Sequence, residues 1–257
     1  MSSALIQTDG LSMEFKGFRA VSDVHLSVRR GTIHGIIGPN GAGKTTLFNL
    51  LTKFLTPTAG RIVLDGIDIT TEKPEAVAKR GIIRSFQISA VFPKMTALQN
   101  IRVALLSKAG YAADFWRNGA SLRQFDKRSR ELLGSVGIEL FADVPAQELS
   151  YGRRRSLELA ATLALDPKVL LLDEPTQGMA HEDVDQVVEL IRKVARGRTV
   201  ILVEHNMGVV ARLCDRITVL QRGEILAEGT YAEVSENPDV RAAYIGDADP
   251  EEVANAG

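Results

Sequence analysis

The chain has 257 residues, of which 45% are hydrophobic and 25% are charged, and its formal net charge is −1. This composition predicts a globular protein with one sizeable core and excludes a disordered chain. The balanced charge argues against a nucleic-acid partner. No apolar run approaches the ~20 residues that a membrane helix requires, and the N-terminus does not resemble a signal peptide. We therefore expect any membrane role to come through a partner.

The sequence contains one cysteine, Cys214, so an internal disulfide is impossible. This usage favours a reducing cytoplasm. We expect Cys214 to be a small buried apolar residue.

Short apolar runs alternate with longer segments of helical period, which indicates a parallel sheet covered by helices. Residues 32–37, 169–172 and 199–203 are the clearest predicted strands. Polar residues follow each of them, at the edge where ligands bind in open α/β sheets.

Two stretches depart from this alternation. The first ~30 residues and residues 60–69 have the pattern of short strands with turns, which predicts a small antiparallel sheet. Residues 89–147 are mostly helical in period, and we interpret them as a helical subdomain inserted into the α/β core. Helices packed directly on the main sheet are the alternative.

The strongest motif is residues 38–45, Gly-Pro-Asn-Gly-Ala-Gly-Lys-Thr, which fit a P-loop between a predicted strand and a predicted helix. In such a loop backbone N–H groups wrap phosphate oxygens, and the helix N-terminus adds donors. Lys44 is expected to reach the β- and γ-phosphates of ATP, and Thr45 to offer its hydroxyl to Mg²⁺. The predicted nucleotide-binding residues are Gly38, Pro39, Asn40, Gly41, Ala42, Gly43, Lys44, Thr45 and Thr46.

An acidic pair, Asp173 and Glu174, closes the second predicted strand. Carboxylates at the end of an apolar strand require a partner, and Mg²⁺ and an attacking water are suitable ones. We expect Asp173 to hold the metal and Glu174 to act as general base.

With these motifs the sequence resembles the ATP-binding subunits of ABC transporters, and the resemblance covers nearly the whole chain. Gln87, in Arg-Ser-Phe-Gln, is similar to the Q-loop glutamine. Residues 149–153, Leu-Ser-Tyr-Gly-Arg, resemble the signature motif, which usually reads Leu-Ser-Gly-Gly-Gln. His205, after the third strand, resembles the switch histidine.

The resemblance implies a role for each matching residue. Gln87 would contact Mg²⁺ and water, and His205 would contact the γ-phosphate and orient the water. Ser150 and Gly152 would contact the γ-phosphate of ATP bound to an opposite subunit. Phe15 would stack on adenine. The implied catalytic residues are Lys44, Gln87, Glu174 and His205, and the implied metal ligands are Thr45, Gln87 and Asp173.

Three positions depart from the family pattern. Tyr151 and Arg153 replace the usual glycine and glutamine of the signature, and Ala180 stands where an aspartate is usual. In the family that aspartate helps to couple two sites across a dimer, so the departure bears on coupling rather than on ATP binding.

Several features resemble the importers of branched-chain amino acids and their relatives for urea and short amides. They are the Tyr-Gly of the signature, the Gly-Met at 178–179, the run Val-Glu-His-Asn-Met at 203–207, the run Phe-Pro-Lys-Met-Thr at 92–96, the long segment before the signature, and the ending from 237 to 246.

The resemblance implies an α/β fold: a P-loop NTPase (RecA-like) core with a parallel sheet, a small antiparallel β subdomain and an inserted α-helical subdomain. We predict one ABC domain, with the core at 1–88 and 157–246. The helical subdomain with the signature would span 89–156, and 247–257 would be a disordered tail.

The resemblance also implies the partners and the location. A second ATP-binding subunit, identical or related, would close on this one around two ATP molecules. Membrane permease subunits would dock at the cytoplasmic face of the inner membrane, and an extracytoplasmic solute-binding protein would act indirectly.

Three alternatives remain at this stage. A soluble ABC ATPase of DNA repair, chromosome organisation or translation is disfavoured because the chain has one P-loop and no long insertion with cysteines. An exporter of the lipopolysaccharide type is disfavoured because such relatives usually keep Gly-Gly in the signature. A non-catalytic regulatory module is disfavoured by the intact Lys44, Asp173, Glu174 and His205.

Overall fold

The computed structural model describes residues 4–85, 91–110, 124–179 and 181–245. Its strands are β1 Ala4–Phe15, β2 Phe18–Val24, β3 Ser27–Arg29, β4 Ile33–Ile37, β5 Ala59–Leu64, β6 Ile67–Asp68, β7 Ile82–Ser85, β8 Val169–Asp173, β9 Thr199–Val203, β10 Arg216–Gln221 and β11 Glu224–Gly229. Its α-helices are α1 Lys44–Leu51, α2 Pro74–Lys79, α3 Ala97–Lys108, α4 Asp126–Ser135, α5 Tyr151–Ala164, α6 His181–Val194, α7 Met207–Leu213, α8 Tyr231–Glu236 and α9 Pro238–Ile245. Short 3₁₀ helices span Glu139–Phe141 and Ala146–Glu148.

The chain divides into two compact units. The first contains Met1–Arg80 and Ala195–Gly257, and the second contains Gly81–Val194. The boundaries predicted for a helical subdomain, 89 and 156, stay predictions. The predicted tail, 247–257, lies outside the described residues.

The first unit contains the predicted antiparallel sheet, in the order β2-β1-β5-β6, with β3 also paired to β1. The prediction of short strands was wrong for β1, which runs for 12 residues. Register shifts along β1 explain its length, because one half pairs with β3 and the other half with β2. A bulged strand can change partners in this way without ending.

β4 is the central strand of a second set of paired strands in the first unit, and all five of its residues are buried. Strands β10 and β9 flank β4 and run parallel to it, and β11 pairs antiparallel with β10. Ile37, at the end of β4, packs with Val210, Val234 and Val240 from α7, α8 and α9. The chain's last described helix therefore supports the end of β4.

Cys214 packs against this core, and its Sγ lies 2.8 Å from where a Cβ on Gly35 would be. Burial raises the pKa of the half-buried thiol to about 12, so it stays protonated near neutral pH. This agrees with the apolar role predicted for it.

In the second unit β7 and β8 pair in parallel, with Ser85 opposite Leu172. Helices α3, α4 and α5 contact one another. Thr96 and Gln99 form a capping box at the start of α3, which satisfies two backbone donors. Leu132 and Leu133 of α4 are buried. Within the part of the chain that the structure describes, no helix is long and apolar enough to cross a membrane.

Candidate nucleotide site

The glycine motif lies between a strand and a helix, as predicted. Strand β4 ends at Ile37, and α1 begins at Lys44. Gly38 has φ 150°, and a Cβ there would lie 2.2 Å from the Leu220 carbonyl oxygen. Gly43 caps α1 in the left-handed region with φ 101°, and its Cβ would lie 2.5 Å from the Ala20 carbonyl oxygen. Backbone contact therefore requires glycine at both ends of the loop.

The charge at this loop is positive. Lys44 Nζ donates to the carbonyl oxygens of Gly38 at 2.6 Å and Pro39 at 2.9 Å, which holds the ammonium over the loop. Thr45 is exposed and Thr46 half-buried in the first turn of α1, which carries no acidic residue. A helix N-terminus with a lysine and no carboxylate attracts phosphate.

The turn after β9 holds the predicted switch histidine. Glu204 is fully buried, and its Oε2 accepts from the backbone N–H of His205 at 2.9 Å and of Asn206 at 3.1 Å. The Asn206 side chain in turn caps α7. The His205 side chain is 58% exposed. Because Val203 lies opposite Ile36 in neighbouring parallel strands, the P-loop and this turn leave the same sheet edge side by side.

Glu204 had no predicted role. Its position directly after a buried apolar strand was the available signal. The structure shows a buried carboxylate that shapes the His205 turn through charge-assisted hydrogen bonds.

In the second unit Asp173 is the last residue of β8 and forms an ion pair with Arg84 of β7. The two side chains are only 11% and 6% exposed. Glu174 follows with φ 46°, a left-handed conformation that is uncommon for a residue with a side chain. The sequence predicted no role for Arg84, which appears there only in the run Arg-Ser-Phe-Gln that ends at Gln87. Gln87 itself lies outside the described residues.

The predicted signature motif occupies the start of α5. Ser150 is the exposed N-cap residue, and its side chain makes no capping hydrogen bond with the described backbone. Apart from its chain neighbours and the backbone of its own helix, no described atom lies within 4 Å of where a Cβ on Gly152 would be. Among the described residues, Ser150 is therefore exposed and the space beside Gly152 is open.

The two departures in the signature have partners. The Tyr151 hydroxyl lies 3.2 Å from the carbonyl oxygen of Gln177, after the acidic pair. The Arg153 guanidinium lies over the Phe141 ring, 3.9 Å from its centroid, as in a cation–π contact. Ala180, the third departure, lies outside the described residues. Phe15, at the end of β1, is 42% exposed, and its adenine-stacking role stays a prediction.

Comparison with known proteins decides the family. The family model described as ABC transporter matches residues 21–177. The chain belongs to the ABC transporter family. A second model, described as branched-chain amino acid ATP-binding cassette transporter, matches residues 224–250.

The relatives of this ABC subunit align over almost its whole length. BraF of Pseudomonas aeruginosa, a high-affinity branched-chain amino acid transport ATP-binding protein, is 38% identical over 96% of this chain and 100% of BraF. LptB of Escherichia coli K12, a lipopolysaccharide export system ATP-binding protein, is 33% identical over 95% of this chain and 98% of LptB.

Solved structures agree. The ADP conformation of MJ1267, an ATP-binding cassette of an ABC transporter, has a TM-score of 0.83 at 27% identity and covers 95% of this chain and 100% of that one. A dimeric post-hydrolysis state of the cassette MJ0796, bound to ADP and Pi, has a TM-score of 0.72 at 26% identity and covers 88% and 98%. The predicted P-loop NTPase fold is confirmed, and the chain is an ABC ATPase.

Each of the two units of this ABC ATPase contains a side-chain oxygen donor of the kind that Mg²⁺ takes. Among the described residues, no group of three or more His, Cys, Asp or Glu could hold a metal ion by itself. Mg²⁺ is usually bound by one or two protein oxygens, waters and substrate phosphates. The Asp173 carboxylate and the Thr45 hydroxyl are oxygen donors of that kind.

Proposed function

We propose that this ABC ATPase energises the import of branched-chain amino acids through membrane permease subunits. It would bind them at the cytoplasmic face of the inner membrane. The observation that carries the cargo class is the match of residues 224–250 to the branched-chain amino acid family model. The 38% identity to BraF over 96% of the chain supports it. An extracytoplasmic solute-binding protein would deliver the solute.

In this proposal the first unit holds the phosphates of ATP. The loop from Gly38 to Gly43 surrounds them with backbone N–H groups, Lys44 contacts the β- and γ-phosphates, and Phe15 stacks on adenine. The positive first turn of α1 and the two glycines without room for a Cβ support these roles. His205 contacts the γ-phosphate from the neighbouring turn.

The second unit supplies the carboxylates. Glu174 acts as general base toward the attacking water. Asp173, directly or through water, would hold Mg²⁺ together with Gln87 and Thr45. When bound, the metal neutralises charge on the phosphate oxygens. The ion pair with Arg84 fixes the orientation of the Asp173 carboxylate.

Two such subunits, identical or related, would close head to tail around two ATP molecules. Ser150 and Gly152 then contact the γ-phosphate held by the partner's P-loop. The exposure of Ser150 and the space beside Gly152, as far as the described residues go, support that role. ATP favours the closed pair because its γ-phosphate contacts both subunits, and hydrolysis removes that contact.

The catalytic assignment is tested by Glu174→Gln. We expect the variant to bind ATP normally, to hydrolyse it at least ~100-fold more slowly, and to accumulate as an ATP-bound closed pair in size-exclusion chromatography. Glu224→Gln, at an exposed site on β11, is the matched control and should hydrolyse at the parent rate. Hydrolysis at the parent rate by Glu174→Gln would refute the base assignment.

The partners and the cargo are tested by affinity capture of the tagged chain from detergent-solubilised membranes. We expect polytopic permease subunits, a second ATP-binding chain and a binding protein that takes up leucine, isoleucine or valine. Recovery of lipopolysaccharide-binding components would favour the export function named for LptB. Recovery of only soluble proteins would contradict the transport proposal.

A further inference from the structure

Tyr151, the residue that departs from the signature pattern, joins the start of α5 to the loop after the acidic pair. Its hydroxyl lies 3.2 Å from the carbonyl oxygen of Gln177, and a carbonyl can only accept. The hydroxyl therefore donates its proton to Gln177. The tyrosine is about half exposed, so packing alone does not fix its position.

A second contact orients the hydroxyl. Arg155 Nη2 donates to the Tyr151 oxygen at 3.1 Å, and Arg155 Nη1 donates to Glu158 Oε2 at 3.0 Å. Glu158 is buried. Because the arginine occupies the acceptor side of the phenol, the O–H is left to point at Gln177.

The Gln177 end of this chain of contacts reaches the proposed general base. The backbone N–H of Gln177 donates to the carbonyl oxygen of Glu174 at 3.1 Å, which closes the turn that Glu174 begins. Glu174 has φ 46°. A non-glycine residue in this region is strained, and it persists only where surrounding contacts determine it.

We propose that Tyr151 is a positioning residue for Glu174. Its hydroxyl, on the first residue of α5, bonds to Gln177 and so holds the turn at residues 174–177 in place within the same chain. This rests on the proposed role of Glu174. The Tyr151–Gln177 hydrogen bond directly links the signature motif to the acidic turn of the same chain. This sequence has Ala180 at the position where the family usually has its coupling aspartate.

The test is Tyr151→Phe, which removes the hydroxyl and keeps the ring. We expect kcat for ATP to fall about 3- to 10-fold, the size of one lost hydrogen bond, with KM and ATP affinity unchanged. Tyr231→Phe, in the first turn of α8 in the other unit, is the matched control and should leave kcat unchanged. An unchanged kcat in Tyr151→Phe would overturn the proposal.

Two further measurements separate positioning from other roles. In a Glu174→Gln background, Tyr151→Phe should lower the residual hydrolysis by less than 2-fold, because the group it positions is gone. Amide exchange at Gln177 and Met179 should be faster in Tyr151→Phe, a readout that needs no hydrolysis. A parallel loss of ATP affinity would instead place the hydroxyl at the partner's nucleotide and refute the proposal.

The same measurements distinguish failure of the proposed catalytic role of Glu174 from failure of the proposed role of Tyr151. If Glu174→Gln hydrolyses at the parent rate while amide exchange at Gln177 changes as expected, the base assignment fails and the structural link survives. If Glu174→Gln abolishes hydrolysis and Tyr151→Phe changes neither kcat nor exchange, the base assignment survives and the link fails.

Discussion

The loops that follow β4 and β8 reach a similar backbone conformation with different types of residue. Both leave a buried parallel strand and turn at once into positive φ, at Gly38 with φ 150° and at Glu174 with φ 46°. The first loop uses glycine, which adopts such angles without steric cost. The second uses Glu174, whose side chain we propose as the general base, and other side chains hold the surrounding structure. The glycine loop therefore depends on close backbone neighbours, whereas the acidic loop depends on other side chains.

The support of the acidic loop comes from distant parts of the second unit. Arg84 pairs with Asp173 across 89 positions of sequence, and Tyr151 reaches Gln177 across 26. The glycine loop is closed by its own residues and by backbone rather than side chains, from Ala20 of β2, Leu220 of β10 and Gly223 in the turn after β10. Substitutions should therefore affect the two loops differently.

The largest effect is expected for Arg84→Met. The substitution removes the cation that pairs with the mostly buried Asp173 carboxylate. Breaking a buried ion pair in this way lowers the free energy of unfolding by ~3–5 kcal/mol. Denaturant unfolding of the parent and the variant measures it.

The matched control for that prediction is Arg192→Met. Arg192 pairs with Glu189 on the surface of α6, where the side chains are about half exposed, so the cost should stay below about 0.5–1 kcal/mol. If both variants lose the same free energy, the acidic loop does not depend on its buried partner and the comparison fails.

The next largest loss of unfolding free energy is expected for Gly38→Ala. The added Cβ would overlap the Leu220 carbonyl oxygen at 2.2 Å in a strained backbone region, for a loss of ~2–4 kcal/mol. Gly41→Ala is the control, because no described atom lies within 4 Å of its Cβ and only the strain of φ 76° remains. Its loss should be about 1 kcal/mol. Equal losses would show that contact with β10 is not what requires Gly38.

The smallest of these effects concerns the strand that leads into the P-loop. Burial lowers the pKa of His34 to about 4, with the Arg216 charge adding to this and the Glu228 charge opposing it, and the ring bonds Thr218 at 2.8 Å. Below the ordinary pKa near 6.5 the unfolded chain takes up a proton that the folded chain does not. Stability should therefore fall as the pH drops from 6.5 toward 4, by about 2 kcal/mol at pH 5.

His34→Gln removes this titration. The unfolding free energy of the variant should depend less on pH between 6.5 and 4, as followed by denaturant unfolding at a series of pH values. A parent slope in His34→Gln would show that other groups carry the pH dependence.

The sequence predicted what is encoded locally. The P-loop, the three strands that end in polar residues and the antiparallel sheet follow from glycine spacing and from runs of apolar residues. The Arg84–Asp173 pair and the Tyr151–Gln177 contact could not be predicted in this way. They join residues far apart in sequence, and only the folded unit brings them together. The length of β1 was missed for a related reason, since its bulges depend on two different partner strands.

The strand that leads into the P-loop also has consequences for the order in which the molecule can form during synthesis. His34 in β4 bonds Thr218 in β10, 184 positions later. The second unit is continuous in sequence, and all of it leaves the ribosome before β9 and β10. At ordinary translation rates β4 therefore waits roughly 10–40 s for its neighbouring strands. Until then the backbone groups along both edges of β4 are unpaired, so the ribosome-bound chain exposes aggregation-prone β structure in the segment that leads into the P-loop.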